Sequence, residues 1–390
     1  MMKQHALYTA EQTRELDRLA IEQGVAGYEL MKRAGESLFN QIRLQWPDAR
    51  QLAVFCGAGN NAGDGYVLAR LAHGAGLTVN VYHLYEPAKL TGEASQAWHD
   101  CVEAGVVIEP FVFGMHRDTD VVVDALIGTG LQRPLADLWL RAVDCINVSP
   151  WPVVAADIPS GINANSGQVM GAAVRADMTV SFIGLNRGLF TGDAPEYVGR
   201  VVFDGLDVDD SCYETLDTDT SLITEEVLQS LHPRSRTLYK NQCGHVLVVG
   251  GNTGMAGAAI LTARAALRAG AGLVSLATRP EHVAMAVAAQ QELMVHGIDD
   301  VHDLNELMAR ASSIVIGPGL GQDSWSDQLL GKVLECRKPM VLDADALNLL
   351  AKEPMRCEDW ILTPHAAEAG RLLGIPTDEV TAERFHAVRQ

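Results

Sequence analysis

The sequence is poor in aromatic residues and in positive charge, and it has no closely paired cysteines. Aromatic residues make up 6% of its 390 residues, and 30 Lys and Arg stand against 49 Asp and Glu, a formal net charge of -19. No tract of Lys or Arg offsets this charge, which argues against nucleic acid and against an anionic membrane as partners. The seven cysteines are widely spaced without a CxxC pair, which argues against a disulfide framework and a structural zinc site and favours a reducing cytoplasm.

Long apolar runs are absent as well. The N-terminus has no apolar stretch of roughly 7–15 residues, as a secretory signal requires, and no segment is long enough to predict a transmembrane helix. Hydrophobic residues nevertheless make up 48% of the chain, and 36 glycines suit the many strand-to-helix turns of α/β architectures. The length favours two domains over one.

Two series of short apolar runs, each alternating with amphipathic segments, predict two α/β domains with parallel sheets. The first series follows a mostly helical stretch over residues 9–45, which begins at a capping box formed by Thr9 and Gln12. An acidic, aperiodic connection at about residues 206–221 separates the two series and puts the boundary near 210–222, so we expect domains over residues 1–215 and 222–390. The chain stops at Gln390 inside a helical pattern without a stop signal, which predicts a truncated second domain.

A glycine-rich loop at residues 57–65, GAGNNAGDG, directly follows a predicted strand and precedes a helix. Such a loop can hold a phosphate on the backbone amides of the helix N-terminus, although an ordinary glycine turn remains an alternative. The dinucleotide fingerprint G-x-G-x-x-G needs its third glycine three residues after Gly59, but Asn60 and Asn61 are followed there by Ala62. The sequence therefore predicts a phosphate loop of another kind.

Two further predicted strands end in carboxylates. Asp124 precedes Gly128 in DALIGTGL, and Asp157 precedes Ser160 in DIPSGI. Either aspartate alone could merely cap the following helix. In a doubly wound sheet, however, the ends of parallel strands converge on one crevice, so we expect these groups to meet at a ligand site.

Taken together, GNNAGDG at 59–65, DALIGTGL at 124–131 and DIPSGI at 157–162 resemble the NAD(P)H-hydrate epimerases. The resemblance implies a Rossmann-like three-layer domain and a potassium ion held by Asn61, Asp124 and Ser160, whose oxygen donors suit a hard cation. It implies that Asp157 is the catalytic acid/base. It also implies that the substrate is contacted by Asn60, Asn61, Ala62, Gly63, Asp64, Gly128, Thr129, Gly130, Leu131, Gln132, Arg133, Pro134 and Asp157.

The implied substrates, NADHX and NADPHX, are NADH and NADPH hydrated at C6 of the nicotinamide ring, in R or S configuration. A carboxyl group beside the ring can donate and accept a proton while the ring nitrogen assists loss of the hydroxyl. We therefore interpret the first domain as an epimerase that interconverts the two configurations.

In the second series, GGNTGMAGAA at 250–259, GPGLG at 317–321, DADALN at 343–348 and LTPHAAEAGRLLG at 362–374 resemble the ribokinase-like dehydratase of the same repair system. The resemblance implies that Ala258, Gly319 and His365 contact the S hydrate and that ADP, with Mg²⁺, drives its dehydration. His365 could equally cap the helix that follows it. The Gly-Thr-Gly-Asp loop of that family does not occur in this domain, so we expect an incomplete ribokinase-like domain that is inactive in this chain.

Two other functions compete with repair. A non-catalytic scaffold on the epimerase fold would be expected to lose the site residues, which this chain keeps. An ordinary Rossmann oxidoreductase is disfavoured by the displaced glycines, although Glu86 could serve as its ribose-binding carboxylate. The apolar N-terminal helices are compatible with a homo-oligomer or with packing on their own sheet.

Overall fold

The structure is a computed structural model that describes residues 5–114 and 118–390. The chain divides into two compact units, Met1–Ser230 and Leu231–Gln390. Residues beyond 215 are tied to the start of the chain, because Leu7 N–H donates to Thr220 C=O (2.9 Å) and Leu222 N–H donates to His5 C=O (2.7 Å). The limits expected from the sequence, 1–215 and 222–390, stay predictions.

The first unit contains strands and helices that alternate along most of its length. Its strands are β1 (Leu7–Tyr8), β2 (Gln51–Cys56), β3 (Thr78–His83), β4 (Val107–Pro110), β5 (Val121–Ala125), β6 (Val153–Ala156), β7 (Met178–Phe182), β8 (Leu185–Asn186) and β9 (Arg200–Asp204). Its helices are α1 (Ala10–Glu22), α2 (Gly27–Gln45), α3 (Asn60–Gly74), α4 (Gly92–Glu103), α5 (Leu138–Asn147) and α6 (Asp210–Glu214).

The helical stretch expected over residues 9–45 is two helices. The predicted capping box is present, with Thr9 Oγ1 accepting from Gln12 N–H (3.2 Å) and Thr9 N–H donating to Gln12 Oε1 (2.9 Å). The helix is interrupted after Gln23, where Gly24 adopts a φ of +100°, a value that glycine reaches without a steric penalty.

Seven parallel strands form the main sheet of the first unit, in the order β4-β3-β2-β5-β6-β7-β9. Successive residues of β2 serve opposite faces: Leu52 and Val54 pack with α1 to α4, and Ala53 and Phe55 pack with α5. The expected three-layer fold is therefore confirmed. The chain winds outward from β2 to β4 and then from β5 to β9, so the strand order reverses between β2 and β5, where ligands of open α/β sheets bind.

The second unit has the same type of architecture. Its strands are β10 (His245–Val249), β11 (Leu273–Thr278), β12 (Met294–Gly297), β13 (Ser313–Ile316), β14 (Met340–Leu342) and β15 (Trp360–Leu362). Its helices are α7 (Ala256–Arg268), α8 (Val283–Ala289), α9 (Leu304–Arg310), α10 (Ser324–Leu334), α11 (Asp345–Leu350), α12 (Ala366–Leu373), α13 (Thr377–Ala382) and α14 (Arg384–Ala387). The six parallel strands lie in the order β12-β11-β10-β13-β14-β15, so here the order reverses between β10 and β13.

Across residues 5–114 and 118–390, no helix is both long enough and apolar enough to cross a membrane.

Candidate active site

A cavity of about 500 Å³ opens beside the ends of β2 and β5, at the reversal of strand order in the first unit. Its volume lies within the range of roughly 300–1,000 Å³ that is usual for small-molecule sites. The lining residues are Thr13, Arg14, Asp17, Ile21, Gly27, Leu30, Met31, Ala34, Ala58, Gly59, Asn60, Asn61, Asp64, Glu93, Ile127, Gly128, Thr129, Gly130, Trp139, Asp157, Phe182, Ile183 and Leu206.

Asp157 lies directly after β6 in a strained turn. Its φ is +65°, and the turn is closed by a hydrogen bond from Ile158 N–H to Ala156 C=O (2.8 Å). A non-glycine residue in this region costs energy and is most often found at functional sites. The turn brings the Asp157 carboxylate to the cavity wall, where Oδ2 accepts from Thr129 N–H (3.3 Å).

Burial raises the pKa of Asp157 to about 6, although hydrogen bonds from the backbone at Thr129 and Phe182 oppose the rise. A carboxyl with such a pKa exchanges its proton readily near neutral pH. The same strained geometry recurs after β7, where Ile183 has a φ of +56° and also lines the cavity.

Two other aspartates line the cavity with Asp157. Asp64, on α3, is buried, and desolvation followed by the charges of Asp157 and Asp17 raises its pKa well above the usual value. Asp17, on α1, has its pKa raised to about 7, mainly by burial and further by the charge of Asp157. Like charges that share a desolvated site resist ionising together. The three carboxyls therefore titrate as a coupled group and are not all ionised together near neutral pH.

Asn61 has a buried side chain, and neither its amide oxygen nor its amide nitrogen has a hydrogen-bond partner in the described structure. A buried, unpaired amide is costly, which points to a ligand or an ion. Gly128 lies next to it: a Cβ at this glycine would be 3.3 Å from Asn61 Oδ1 and 2.9 Å from Asp157 Oδ2. Because residue 128 has no side chain, there is room beside both oxygens.

Asp124 and Ser160 lie outside the lining residues and are fully buried. Ser160 Oγ donates to Asp124 Oδ1 (2.6 Å), and Ser160 N–H donates to Asp124 Oδ2 (2.8 Å). Ile127 N–H donates in turn to Ser160 Oγ (2.9 Å), which links the loops after β5 and β6. Burial raises the pKa of Asp124 to about 6 against the opposing effect of these hydrogen bonds.

The structure brings only part of the predicted substrate set to the cavity. The members that line it are Asn60, Asn61, Asp64, Gly128, Thr129, Gly130 and Asp157; those that do not are Ala62, Gly63, Leu131, Gln132, Arg133 and Pro134. Gly63 faces α2, where a Cβ would come within 2.5 Å of the sulfur of Met31, so its lack of a side chain allows the two helices to pack.

Residues of α1 and α2 that line the cavity were missed. One face of α1 carries Thr13, Asp17 and Ile21 at a spacing of four residues. This spacing is the signal in the sequence that these three residues share a surface, but all of α2 separates them from the glycine loop. Leu16 and Ala20, which are buried, mark the neighbouring face as the core-facing one, so Asp17 is easily mistaken for a solvated residue.

In the second unit, two of the three predicted contact residues meet. A Cβ at Gly319, after β13, would lie 3.1 Å from Cβ of Ala258 on α7, and Asn252 N–H donates to Gly319 C=O (2.7 Å). His365 begins α12 as its N-cap: its Nδ1 accepts from Ala367 N–H (3.2 Å), and its own N–H donates to Glu368 Oε2 (3.0 Å). His365 therefore caps α12, which is the alternative interpretation given to it from the sequence.

Within the part of the chain that the structure describes, no group of three or more His, Cys, Asp or Glu side chains has the arrangement of a metal site.

Residues 27–188 match the family described as YjeF-related protein N-terminus, and residues 246–390 match the NAD(P)H-hydrate dehydratase family. A bifunctional NAD(P)H-hydrate repair enzyme of Coxiella burnetii is 48% identical over 98% of this chain and 78% of its own length. The bifunctional NAD(P)H-hydrate repair enzyme of Escherichia coli is 42% identical over 99% of this chain and 75% of its own length. Because both alignments run through nearly all of this chain, they give no support to the expected truncation.

Among solved structures, the ADP/ATP-dependent NAD(P)H-hydrate dehydratase from Bacillus subtilis, co-crystallised with ATP and Mg²⁺, is similar to part of the chain. It is 29% identical, with a TM-score of 0.35, over 41% of this chain and 58% of that protein.

Proposed function

This chain belongs to the bifunctional NAD(P)H-hydrate repair enzymes, and on that premise we propose that its first unit interconverts the R and S forms of NADHX and NADPHX. The observation that carries the proposal is the carboxyl of Asp157, which lies in a cavity at the reversal of strand order with its pKa raised to about 6. It is held there by a strained turn and by the Thr129 amide.

The charges of the cavity determine which end of the substrate enters it. Asp17, Asp64, Glu93 and Asp157 are acidic lining residues, and Arg14 is the basic residue among those that line the cavity in the described structure. Phosphates are repelled by such an interior, whereas the uncharged hydrated ring is not. The ring therefore enters among the apolar side chains of Met31, Phe182 and Trp139.

We assign the phosphates to the N-terminus of α3. Asn60 and Asn61 begin this helix after Gly59, whose φ of +87° turns the chain into it. The first amides of a helix lack intrahelical acceptors and attract anions. In this proposal the residues at 59–61 bind the phosphates, and the residues around Asp157 bind the ring.

The chemistry needs one proton to move. The protonated carboxyl of Asp157 donates to the C6 hydroxyl, which leaves as water while the ring nitrogen supplies electron density to C6. Water then adds to C6 and returns a proton to a carboxylate. A general acid/base of this kind contributes roughly 10²–10⁴-fold to a rate.

Potassium fits the donors of this site. Asn61 offers a buried amide oxygen without a partner, and Asp124 and Ser160 offer a buried carboxylate and hydroxyl 2.6 Å apart. We assign these three residues to a potassium ion, which supplies positive charge where two strand-end loops meet. Oxygen donors are the ligands that hard cations prefer.

For the second unit we propose binding of the S hydrate, with Ala258, Gly319 and His365 at the contact and with ADP and Mg²⁺ as co-substrate and cofactor. The support is the family match over residues 246–390 and the approach of Gly319, after β13, to Ala258 on α7. The dehydratase inactivity expected from the missing loop stays a prediction.

The epimerase proposal is tested with Asp157→Asn, which keeps the shape of the side chain but cannot carry the proton. We expect the rate at which one purified NADHX epimer converts to the other to fall by about 100-fold or more. Asp144→Asn, an exposed aspartate on α5 outside the cavity lining, is the matched control and keeps the full rate. A full rate in Asp157→Asn would overturn the role of Asp157.

A further inference from the structure

Asp17 lies in the same cavity as Asp157 but comes from a different part of the fold. Asp157 follows a strand of the main sheet, whereas Asp17 lies on α1, which precedes that sheet in the chain. The residues one turn before and after Asp17 on the helix, Thr13 and Ile21, line the cavity with it. The two carboxyls therefore line one cavity from separate elements of the fold.

The orientation of α1 is set by contacts of its buried face and of its N-terminal end. Leu16 and Ala20 are buried in the core. At the N-terminal end, Thr13 Oγ1 donates to Asn186 Oδ1 (3.2 Å) and Ala10 N–H donates to Asn165 Oδ1 (2.7 Å). A helix fixed in this way holds Asp17 toward the cavity, although a charged residue at that position would be better solvated on the surface.

Inversion at C6 has a stereochemical requirement that one carboxyl does not meet. A hydroxyl that leaves through one carboxyl and returns through the same carboxyl restores the starting configuration. Inversion requires the new C–O bond to form on the opposite face of the ring, so a second group must accept the proton there. Asp17 is a carboxyl of the same cavity that the mechanism above leaves without a role.

We propose that Asp17 is the acid/base residue for one face of the nicotinamide ring and Asp157 for the other, an inference that rests on the proposed epimerase function. On one face, a protonated carboxyl donates to the C6 hydroxyl, the C–O bond breaks with its electrons on oxygen, and water leaves. The lone pair of the ring nitrogen forms a C=N bond.

On the other face, water forms the new C–O bond, the C=N electrons return to nitrogen, and the water proton passes to the second carboxylate. The net change is inversion at C6 and transfer of one proton from one carboxyl to the other, without oxidation or reduction. The reverse reaction returns the proton.

The electrostatics agree with this division of roles. Burial and the charge of Asp157 raise the pKa of Asp17 to about 7, close to the pKa of about 6 of Asp157. Two coupled carboxyls with similar pKa values hold one proton between them over a range of pH near neutrality. The charged groups that line the cavity with them are Arg14, Asp64 and Glu93.

The test follows oxygen exchange and inversion separately. Each purified NADHX epimer is incubated in H₂¹⁸O with the full chain, and the label in its hydroxyl and the R/S ratio are measured against an enzyme-free control. In the native protein both epimers exchange and invert. In Asp17→Asn we expect inversion to fall by about 100-fold or more, while the epimer served by Asp157 continues to exchange.

Asp157→Asn should show the complementary pattern, with exchange retained only in the other epimer. Asp17→Glu should restore part of the inversion. Glu15→Gln removes a carboxylate from the same helix outside the cavity lining and should leave both rates unchanged.

If Asp17→Asn loses exchange and inversion of both epimers to the same extent, or loses neither, Asp17 has no such role. Asp17 also has no such role if Asp64→Asn removes inversion and keeps oxygen exchange, while Asp17→Asn does not. If the native protein inverts neither epimer above the enzyme-free rate, the epimerase function itself is wrong. These outcomes distinguish the failure of this inference from the failure of the function.

Discussion

Asp17→Asn should make the first unit more stable at pH 8 than the native protein. Burial in the cavity raises the pKa of this carboxyl from 3.8 to about 7. A carboxyl whose pKa is raised by folding stabilises the fold while it keeps its proton, and this contribution is lost as the pH rises through the folded-state pKa. Asparagine cannot ionise, so the variant avoids that loss.

The size of this effect on stability follows from the difference between the folded and unfolded pKa of Asp17. A difference of roughly 3 pKa units corresponds to about 4 kcal/mol at 1.36 kcal/mol per unit. Most of this difference falls between pH 5 and pH 8, because the unfolded carboxyl is ionised above pH 5 while the folded one is not. We expect the stability of the variant relative to the native protein to rise by about 3 kcal/mol over that interval.

Native-state hydrogen exchange in the full chain measures this stability unit by unit. Amides of β2 (Gln51–Cys56) and β5 (Val121–Ala125) report on the first unit, and those of β10 (His245–Val249) serve as an internal reference in the second. Glu15→Gln is the control, because Glu15 is ionised in both states above pH 5 with its pKa lowered by Arg18. An equal difference between variant and native protein at pH 5 and pH 8 would refute the placement of Asp17.

Three further outcomes are expected. Gly128→Ala should abolish epimerisation without unfolding the protein, because the added Cβ would lie 2.9 Å from the carboxylate of the proposed acid/base residue; Gly74→Ala, outside the cavity lining and with no atom within 4 Å of its Cβ, should retain activity in the same assay. Gly161→Ala should lower the thermal midpoint more than Gly76→Ala: both have positive φ, but at Gly161 the Cβ would come within 1.9 Å of Ala172 C=O. Replacing potassium by tetramethylammonium should reduce both the epimerisation rate and hydrogen-exchange protection of the strand-end loops; unchanged rate and protection would count against the ion.

The strand-end loops were predictable because chemistry and topology coincide in them. Gly57, Asp124 and Asp157 lie at or next to the ends of the parallel strands β2, β5 and β6, so the sheet must bring them to one edge, and the structure places them there. The different surroundings of these residues, with Asp157 in the cavity wall and Asp124 buried beside it, were not predictable. The pairing of Asp124 with Ser160 depends on a turn geometry that the letters DIPSG do not specify.

The contribution of α1 escaped prediction for a different reason. Helical periodicity identifies the face that enters the core, marked by Leu16 and Ala20, but does not distinguish a polar residue in solvent from one in a cavity. Asp17 lies beside that face, and its surroundings come from strands more than a hundred residues later in the chain, including Asp157 and Phe182. Only the tertiary fold brings them together.

The second unit illustrates how a local signal can hold two interpretations. His365 followed by Glu368 is a capping-box spacing, and the structure contains that capping box. A side chain engaged in capping still presents its Nε2 atom, which lies 3.2 Å from Glu368 Oε1. Substrate contact by His365 therefore stays a prediction.

The most direct test of the account supplies the full chain with one purified epimer of NADHX and ADP, and follows the R/S ratio by chromatography and NADH by absorbance. The account predicts that the R/S ratio moves to equilibrium much faster than in the enzyme-free control. Recovery of NADH reports separately on the second unit. An R/S ratio that changes no faster than the control would contradict the epimerase assignment itself.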